Sequence, residues 1–251
     1  MDEHDIEQAS RLLIAARRTG ARLDALPIAC QPATVDEAHA IQDRMIADLG
    51  EPVAGWKIAF GPDGSLMRGP LLASRVFSNP ARLDTALVPL LGAEAEIAFR
   101  FDRPLPPRDV EYGYDEVADA VTALAAIEIV DSRFVSYQDT PLLHRLADFM
   151  SNGALIKGLL QPHWRDLDLS ELHVVLSIND IPIVERRGGH SSCDPLLPAV
   201  AFVNNFRNRD GVFAGQLVTT GTYTGLNFAK PGQLIEVTFV DFDSVKAFVQ
   251  V

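Results

Sequence analysis

Between Glu94 and Phe101 the sequence alternates without a break, and this constrains the chain more than any other stretch. Ala95, Ile97, Phe99 and Phe101 fall on one side of an extended backbone, and Glu94, Glu96, Ala98 and Arg100 on the other. A period of two is a strand with one face in a core. It also places Glu94 and Glu96 on the same face, their roots roughly 7 Å apart. The plain account of such a pair is a solvent-facing one. Glu128 is harder to place in solvent, because it interrupts the apolar run Ala125-Ala126-Ile127-Glu128-Ile129-Val130. A carboxylate there needs a partner. Either Arg133 supplies it as an ion pair, or Glu128 joins Glu94 and Glu96 around a cation. Three carboxylates form an all-oxygen set suited to Mg²⁺ or Mn²⁺ rather than zinc.

Around this strand the chain divides into a helical beginning and a strand-rich remainder. Ile6, Ala9, Leu13 and Ala16 have helical spacing, with Gly20 as a stop, and Thr34 with Glu37 opens a second helix that Gly50 ends. A strand carrying Trp56, Ile58 and Phe60 follows. A helix is expected from Asp115 through Val117, Val121 and Leu124 into a short strand at Ile127–Val130, another from Thr140-Pro141 to near Gly153, and a third from Asp194-Pro195. Leu172–Ile178 and Ile181–Arg186 flank Asn179-Asp180, a tight-turn pair. Strands at Gln216–Thr222, Leu234–Val240 and Val245–Val249 complete an α+β chain, either with residues 1–52 as a helical segment and 53–251 as a mixed β domain or as one continuous unit.

The 251 residues are 47% hydrophobic and 22% charged, the balance of a globular protein. A net charge of -12 repels phosphate backbones and sets nucleic acid aside as a partner. The same field repels a small acid unless a bound cation, or a pocket Lys or Arg, reverses it. The N-terminus is acidic and no apolar stretch reaches bilayer length, so no signal peptide or membrane partner is expected, and the chain reads as a cytoplasmic one. Cys30 and Cys193 have neither metal nor disulfide spacing. Lys57 taken alone is a surface lysine, and the small residues Thr219-Thr220-Gly221-Thr222 a turn. No GxSxG, P-loop, GxGxxG or HExxH is present.

Five segments in order carry a resemblance: Gly55-Trp56-Lys57-Ile58, Glu94-Ala95-Glu96-Ile97-Ala98-Phe99, Glu128-Ile129-Val130-Asp131-Ser132-Arg133, Ala147-Asp148 with Ser151, and Ala214 through Gly221. Together they resemble the 2-keto-4-pentenoate hydratase and 4-oxalocrotonate decarboxylase family of the fumarylacetoacetate hydrolase superfamily. The resemblance implies helices followed by a mixed β-sandwich or roll, and a homo-oligomer. It implies Glu94, Glu96 and Glu128 as ligands of Mg²⁺ or Mn²⁺, Lys57 and Ser151 as catalytic, and Thr220 and Gly221 as substrate-binding. The activity it implies is hydration of a 2-hydroxy-2,4-dienoate in aromatic-compound catabolism. The alternatives are decarboxylation of a 4-oxalocrotonate-type acid and a silent ligand-binding paralogue. Two departures stand out. Phe149 replaces a polar amide after Ala147-Asp148, and Arg68-Gly69-Pro70-Leu71-Leu72 occupies the place where hydratases carry a loop acid.

Overall fold

The computed structural model describes residues 1–251. It begins with two helices, α1 (Glu3–Thr19) and α2 (Val35–Leu49). Their ends follow the residues that mark them. The Asp2 side chain accepts from the Asp5 amide and that of Thr34 from the Glu37 amide, while Gly20 and Gly50 close the helices at φ 74° and 62°. Glu37 does not complete a reciprocal box. Its carboxylate accepts from the Ala33 amide at 2.7 Å and pairs with the N-terminal ammonium.

Two mixed sheets follow. The larger joins β1 (Val53–Phe60), β2 (Leu66–Leu72), β3 (Val76–Ser78), β5 (Gly92–Phe101), β6 (Val121–Val130), β7 (Asn152–Gln161), β10 (Leu217–Thr222) and the short β11 (Asn227–Phe228), in the order β2-β1-β10-β5-β6-β7-β3 with β11 on β5. The smaller joins β4 (Ala81–Leu83), β8 (His173–Ile178), β9 (Ile181–Arg187), β12 (Leu234–Phe239) and β13 (Ser244–Val249), in the order β4-β13-β12-β8-β9. Most pairs are antiparallel, with β1–β10, β3–β7 and β4–β13 parallel. Asn179 and Asp180 both have positive φ (51° and 64°), the turn whose twist matches the β8–β9 hairpin. The fold is α+β, as the sequence indicates.

The core lies between the sheets. Ala95, Ile97, Phe99 and Phe101 of β5 and Ala123, Ala125, Ile127 and Ile129 of β6 meet Val174, Leu176, Val237 and Val245 of the smaller sheet. α5 (Leu196–Phe206) adds Phe202 and Phe206 against Trp56, with ring centroids 6.2 and 5.1 Å away. On its other face the large sheet carries a small apolar cluster that includes Ala98, Leu124, Ala126 and Leu155, and also the three glutamates. A second core forms where α1 and α2 meet α4 (Leu142–Ala147), through Leu13, Ile41, Met45, Met67, Leu146 and Phe149.

Two expected elements differ. The helix at 115–124 is only α3 (Tyr114–Ala118), and β6 starts at Val121. Val117, Val121 and Leu124 keep helical spacing by coincidence, and β6 shows no alternation because it is buried on both faces. The helix expected to reach Gly153 ends at Ala147, and Phe149, Met150 and Ser151 then take φ of 53°, 51° and 57°. No glycine announces that left-handed turn.

Candidate metal centre and acid-binding pocket

The register of β5 on β6 builds the site. Glu94 lies opposite Glu128 and Glu96 opposite Ala126, so the three carboxylates converge on one face, each with an oxygen within 4.8 Å of the others. They are not a solvated face: Glu96 is 1% and Glu128 0% exposed. Arg133 does not pair with Glu128. It turns to Asp148, with Nε–Oδ1 at 2.6 Å, and to Asp131 at 3.1 Å. The partner of Glu128 is Lys57, whose Nζ lies 2.9 Å from Glu128 Oε1 and 3.6 Å from Glu94 Oε2. The Lys57 side chain is 13% exposed, so it is not a surface lysine. Asn152, the first residue of β7, donates to Glu128 Oε1 at 3.1 Å.

Glu96 Oε1 and Glu128 Oε2 are buried with no hydrogen-bond partner. Three carboxylates against one ammonium leave negative charge in excess in a dry site, which is costly unless something further neutralises it. Burial raises the Glu96 carboxyl well above its ordinary range, and the nearby Glu128 adds to this. Glu94 is raised by burial as well, against the pull of Lys57. Burial would lower Lys57, but Glu128, Glu94 and Glu96 outweigh it and hold the ammonium above its usual range. A hard divalent cation fits the donor set, because it would take up the two orphaned oxygens and the excess charge together.

The neighbouring strand bends to make room. Between Thr219 and Thr222, β10 carries one residue more than β5, and Gly221 sits there at φ 122°. Its amide points to Glu96 Oε2 at 3.4 Å. A side chain at 221 would also meet His190 Nε2 at 3.2 Å. Thr220 is buried and its hydroxyl has no partner. Gly221 thus adjoins Glu96, but neither it nor Thr220 is part of the cavity that Lys57 and Ser151 line.

That cavity, about 150 Å³, is walled by Met67, Leu142, Leu146 and Met150 beside Lys57 and Ser151, with Tyr137 and Arg145 completing it. Ser151 is buried and its hydroxyl has no partner. Its position depends on the left-handed turn, which three contacts hold in place. Asp148 accepts from Arg133 at 2.6 and 2.8 Å and from Arg17 at 3.4 Å. Phe149 lies under the Arg17 guanidinium, 4.4 Å from it. Gly69 lets the Phe149 carbonyl approach, since a Cβ at 69 would stand 2.6 Å from that oxygen. Both departures therefore have structural places. Phe149 belongs to the second core, and Arg68 is buried against Trp56 and bound to Asp43 at 2.7 Å on α2. Sequence reasoning missed Asn152, Tyr137 and Arg145. The polar amide directly after Ser151 was the one signal that could have found the first.

No family model and no curated protein matches the chain. Solved structures do. The chain is 19% identical to 4-oxalocrotonate decarboxylase from Pseudomonas putida G7, complexed with magnesium and adipate; the alignment covers 99% of this chain and 98% of that one, with a TM-score of 0.85. Fumarylpyruvate hydrolase from Pseudomonas aeruginosa, in complex with Mn²⁺ and pyruvate, matches at 13% identity over 80% of this chain and 91% of that one, with a TM-score of 0.58. The 2-hydroxyhepta-2,4-diene-1,7-dioate isomerase from Mycobacterium marinum matches at 16% identity over 80% and 76%, with a TM-score of 0.56. The chain has the fold of these structures, and it shares that of 4-oxalocrotonate decarboxylase over its whole length.

Proposed function

We propose that the chain is a Mg²⁺- or Mn²⁺-dependent lyase that adds water to a short 2-hydroxy-2,4-dienoate to give a 4-hydroxy-2-oxo acid, a reaction of aromatic-compound breakdown. The observation that carries this reading is the convergence of Glu94, Glu96 and Glu128, two of them with orphaned oxygens, beside a buried lysine. The divalent metals and small acids bound to the decarboxylase and hydrolase structures support it.

Glu94, Glu96 and Glu128 would hold the cation, and Asn152 would fix the Glu128 carboxylate. When bound, the cation supplies Lewis acidity toward the 1-carboxylate and 2-oxygen of the acid, favouring negative charge at that oxygen. Lys57 remains an ammonium beside Glu128 and would carry a proton where it lines the cavity. Ser151 offers a free hydroxyl to orient the attacking water. The Gly221 amide steadies the Glu96 carboxylate. The atoms balance. The 2-hydroxyl proton ends on C5, water gives its hydroxyl to C4 and its hydrogen to C3, and nothing is released.

A second reading, loss of CO₂ from a 4-oxalocrotonate-type acid, draws on the cavity lining, which contains no carboxylate to act on water. The experiment is the ultraviolet decay of freshly generated 2-hydroxypenta-2,4-dienoate with Mg²⁺ or Mn²⁺ and then with EDTA. Metal-dependent decay above the buffer rate supports hydration. Decay at the buffer rate, together with metal-dependent CO₂ release from 4-oxalocrotonate, would replace it with the second reading.

A further inference from the structure

Four arginines from separate parts of the chain meet at a second cleft, which none of the three glutamates lines. Arg17 lies in the last turn of α1, Arg22 follows that helix, Arg75 precedes β3 and Arg133 follows β6. The cleft holds about 20 Å³, a little above what one water needs, and opens between the exposed Ala21, Ala86 and Leu87. The four charges are only half answered. Asp148 takes Arg133 and Arg17, and Asp131 takes Arg22 and Arg133, at 2.6 to 3.4 Å. Arg75 makes no ion pair; it donates to the Leu87 carbonyl at 2.9 Å, and the nearby Glu51 accepts from the Ser74 amide instead. Four guanidiniums thus stand against two carboxylates. Arg17 Nε has no partner, although that side chain is only 7% exposed. Burial, and after it the charge of Arg133, draws both Arg17 and Arg75 below the ordinary guanidinium range. Ser132, buried in the same wall, accepts from the Phe134 amide at 3.1 Å and keeps its own hydrogen to give. In a chain of net charge -12 this local excess of positive charge calls for a counter-ion.

We propose that this cleft is a binding site for one inorganic tetrahedral oxyanion of the phosphate class, held by Arg17, Arg22, Arg75 and Ser132. Guanidinium forks match the oxygens of phosphate and carboxylate alike. Donors that converge from separate segments serve a tetrahedral ion, whose oxygens point four ways, better than a planar carboxylate. A space this small leaves no place for an organic remainder such as a nucleoside. Arg17 gives the ion a reach beyond its own cleft. The same guanidinium pairs with Asp148 and lies over Phe149, so an ion that fixes Arg17 also fixes the turn that presents Ser151. The oxyanion therefore supports the wall of the other cavity from behind, whichever reaction runs there and whether or not a metal is held at the glutamates.

The test is calorimetric titration of the metal-free full chain with inorganic phosphate at constant ionic strength, with melting curves alongside. One phosphate per chain is expected, displaced by sulfate and not by chloride. Phosphate at about ten times its Kd should raise Tm by about 3–6 °C. Arg75→Gln removes a cation that no carboxylate pairs, and is expected to weaken phosphate binding by about tenfold or more and to remove most of that rise. Arg22→Gln is expected to show the same loss and decides the matter should the first variant not fold. Arg145→Gln, in the other cavity, is expected to bind phosphate as the wild-type chain does. Absence of saturable binding at millimolar phosphate overturns the proposal, and so does an affinity unchanged in Arg75→Gln and Arg22→Gln or a loss confined to Arg145→Gln. A rise in Tm of equal size in the wild-type chain and the variants would be the general exclusion of phosphate from protein surfaces, and overturns it too.

Discussion

Replacing Asp148 with alanine tests how the pocket is held open. The side chain is fully buried and accepts from the Arg133 Nε and backbone amide and from Arg17. Both arginines are themselves buried, at 5% and 7% side-chain exposure. Burial, and secondarily the neighbouring Arg133, already lowers Arg17 to about 9, with Asp148 pulling the other way. Removing the carboxylate leaves two buried cations facing each other, and breaking such a pair from one side costs about 3–5 kcal/mol. The turn at Phe149–Ser151 adds to the strain, because three consecutive non-glycine residues in the left-handed region, each costing roughly 1–2 kcal/mol, then lose the group that anchors them. At about 2–4 °C per kcal/mol for a chain near this size, Tm should fall by about 10 °C. Asp148→Asn, which keeps the volume and one acceptor, should fall between. Scanning calorimetry reads both. A loss below about 1 kcal/mol in the alanine variant, against the range expected for a buried pair, would show that the clamp does not hold the turn.

Other perturbations separate the parts of the account. Gly69→Ala places a Cβ against the Phe149 carbonyl, a backbone atom that cannot swing aside, and should cost about 1–3 kcal/mol and slow turnover together; a stable, fully active variant would contradict the packing. Asn152→Ala removes the donor to Glu128 and should weaken Mn²⁺ binding about 10–100-fold, read by calorimetric titration, with little change in Tm. The pH dependence has a definite sign. The folded-state pKa values of Glu94 and Glu96 are raised, so their contribution to stability is complete below the ordinary carboxylate range and is lost as pH rises through the raised values. Without metal the chain should therefore lose stability with rising pH, whereas saturating Mn²⁺ should restore about 2.7 kcal/mol at 100 times its Kd and release protons on binding. Melting curves across about pH 5 to 8 with and without Mn²⁺ would show it.

Much of the fold could be read from local signals, because those signals act locally. Asp2, Gly20, Thr34 and Gly50 end helices through their own side chains or φ angles, and Asn179-Asp180 turns the hairpin by itself. β5 was legible because only one of its faces is wholly apolar. β6 was not, because packing on both faces erases the alternation. The carboxylate cluster was visible as three glutamates on two strands, but the charge pairing was not. Lys57 reaches Glu128 from β1, two strands from β5, and Asp148 takes Arg133 away from Glu128. Such choices depend on register and burial that pairs of distant segments set together. The turn at Phe149–Ser151 was hidden for the same reason, since its conformation is imposed by Asp148, Arg17 and Gly69 rather than by its own residues.

The most direct test of the central claim is deuterium exchange at C3 of 2-oxohexanoate in D₂O, followed by proton NMR, because it reports charge development at the 2-oxygen whatever reaction follows. The account predicts exchange above the buffer rate with Mg²⁺ or Mn²⁺, abolished by EDTA and by Glu128→Gln. Exchange equal to buffer in the metal-loaded chain, or exchange that persists in Glu128→Gln, would contradict it.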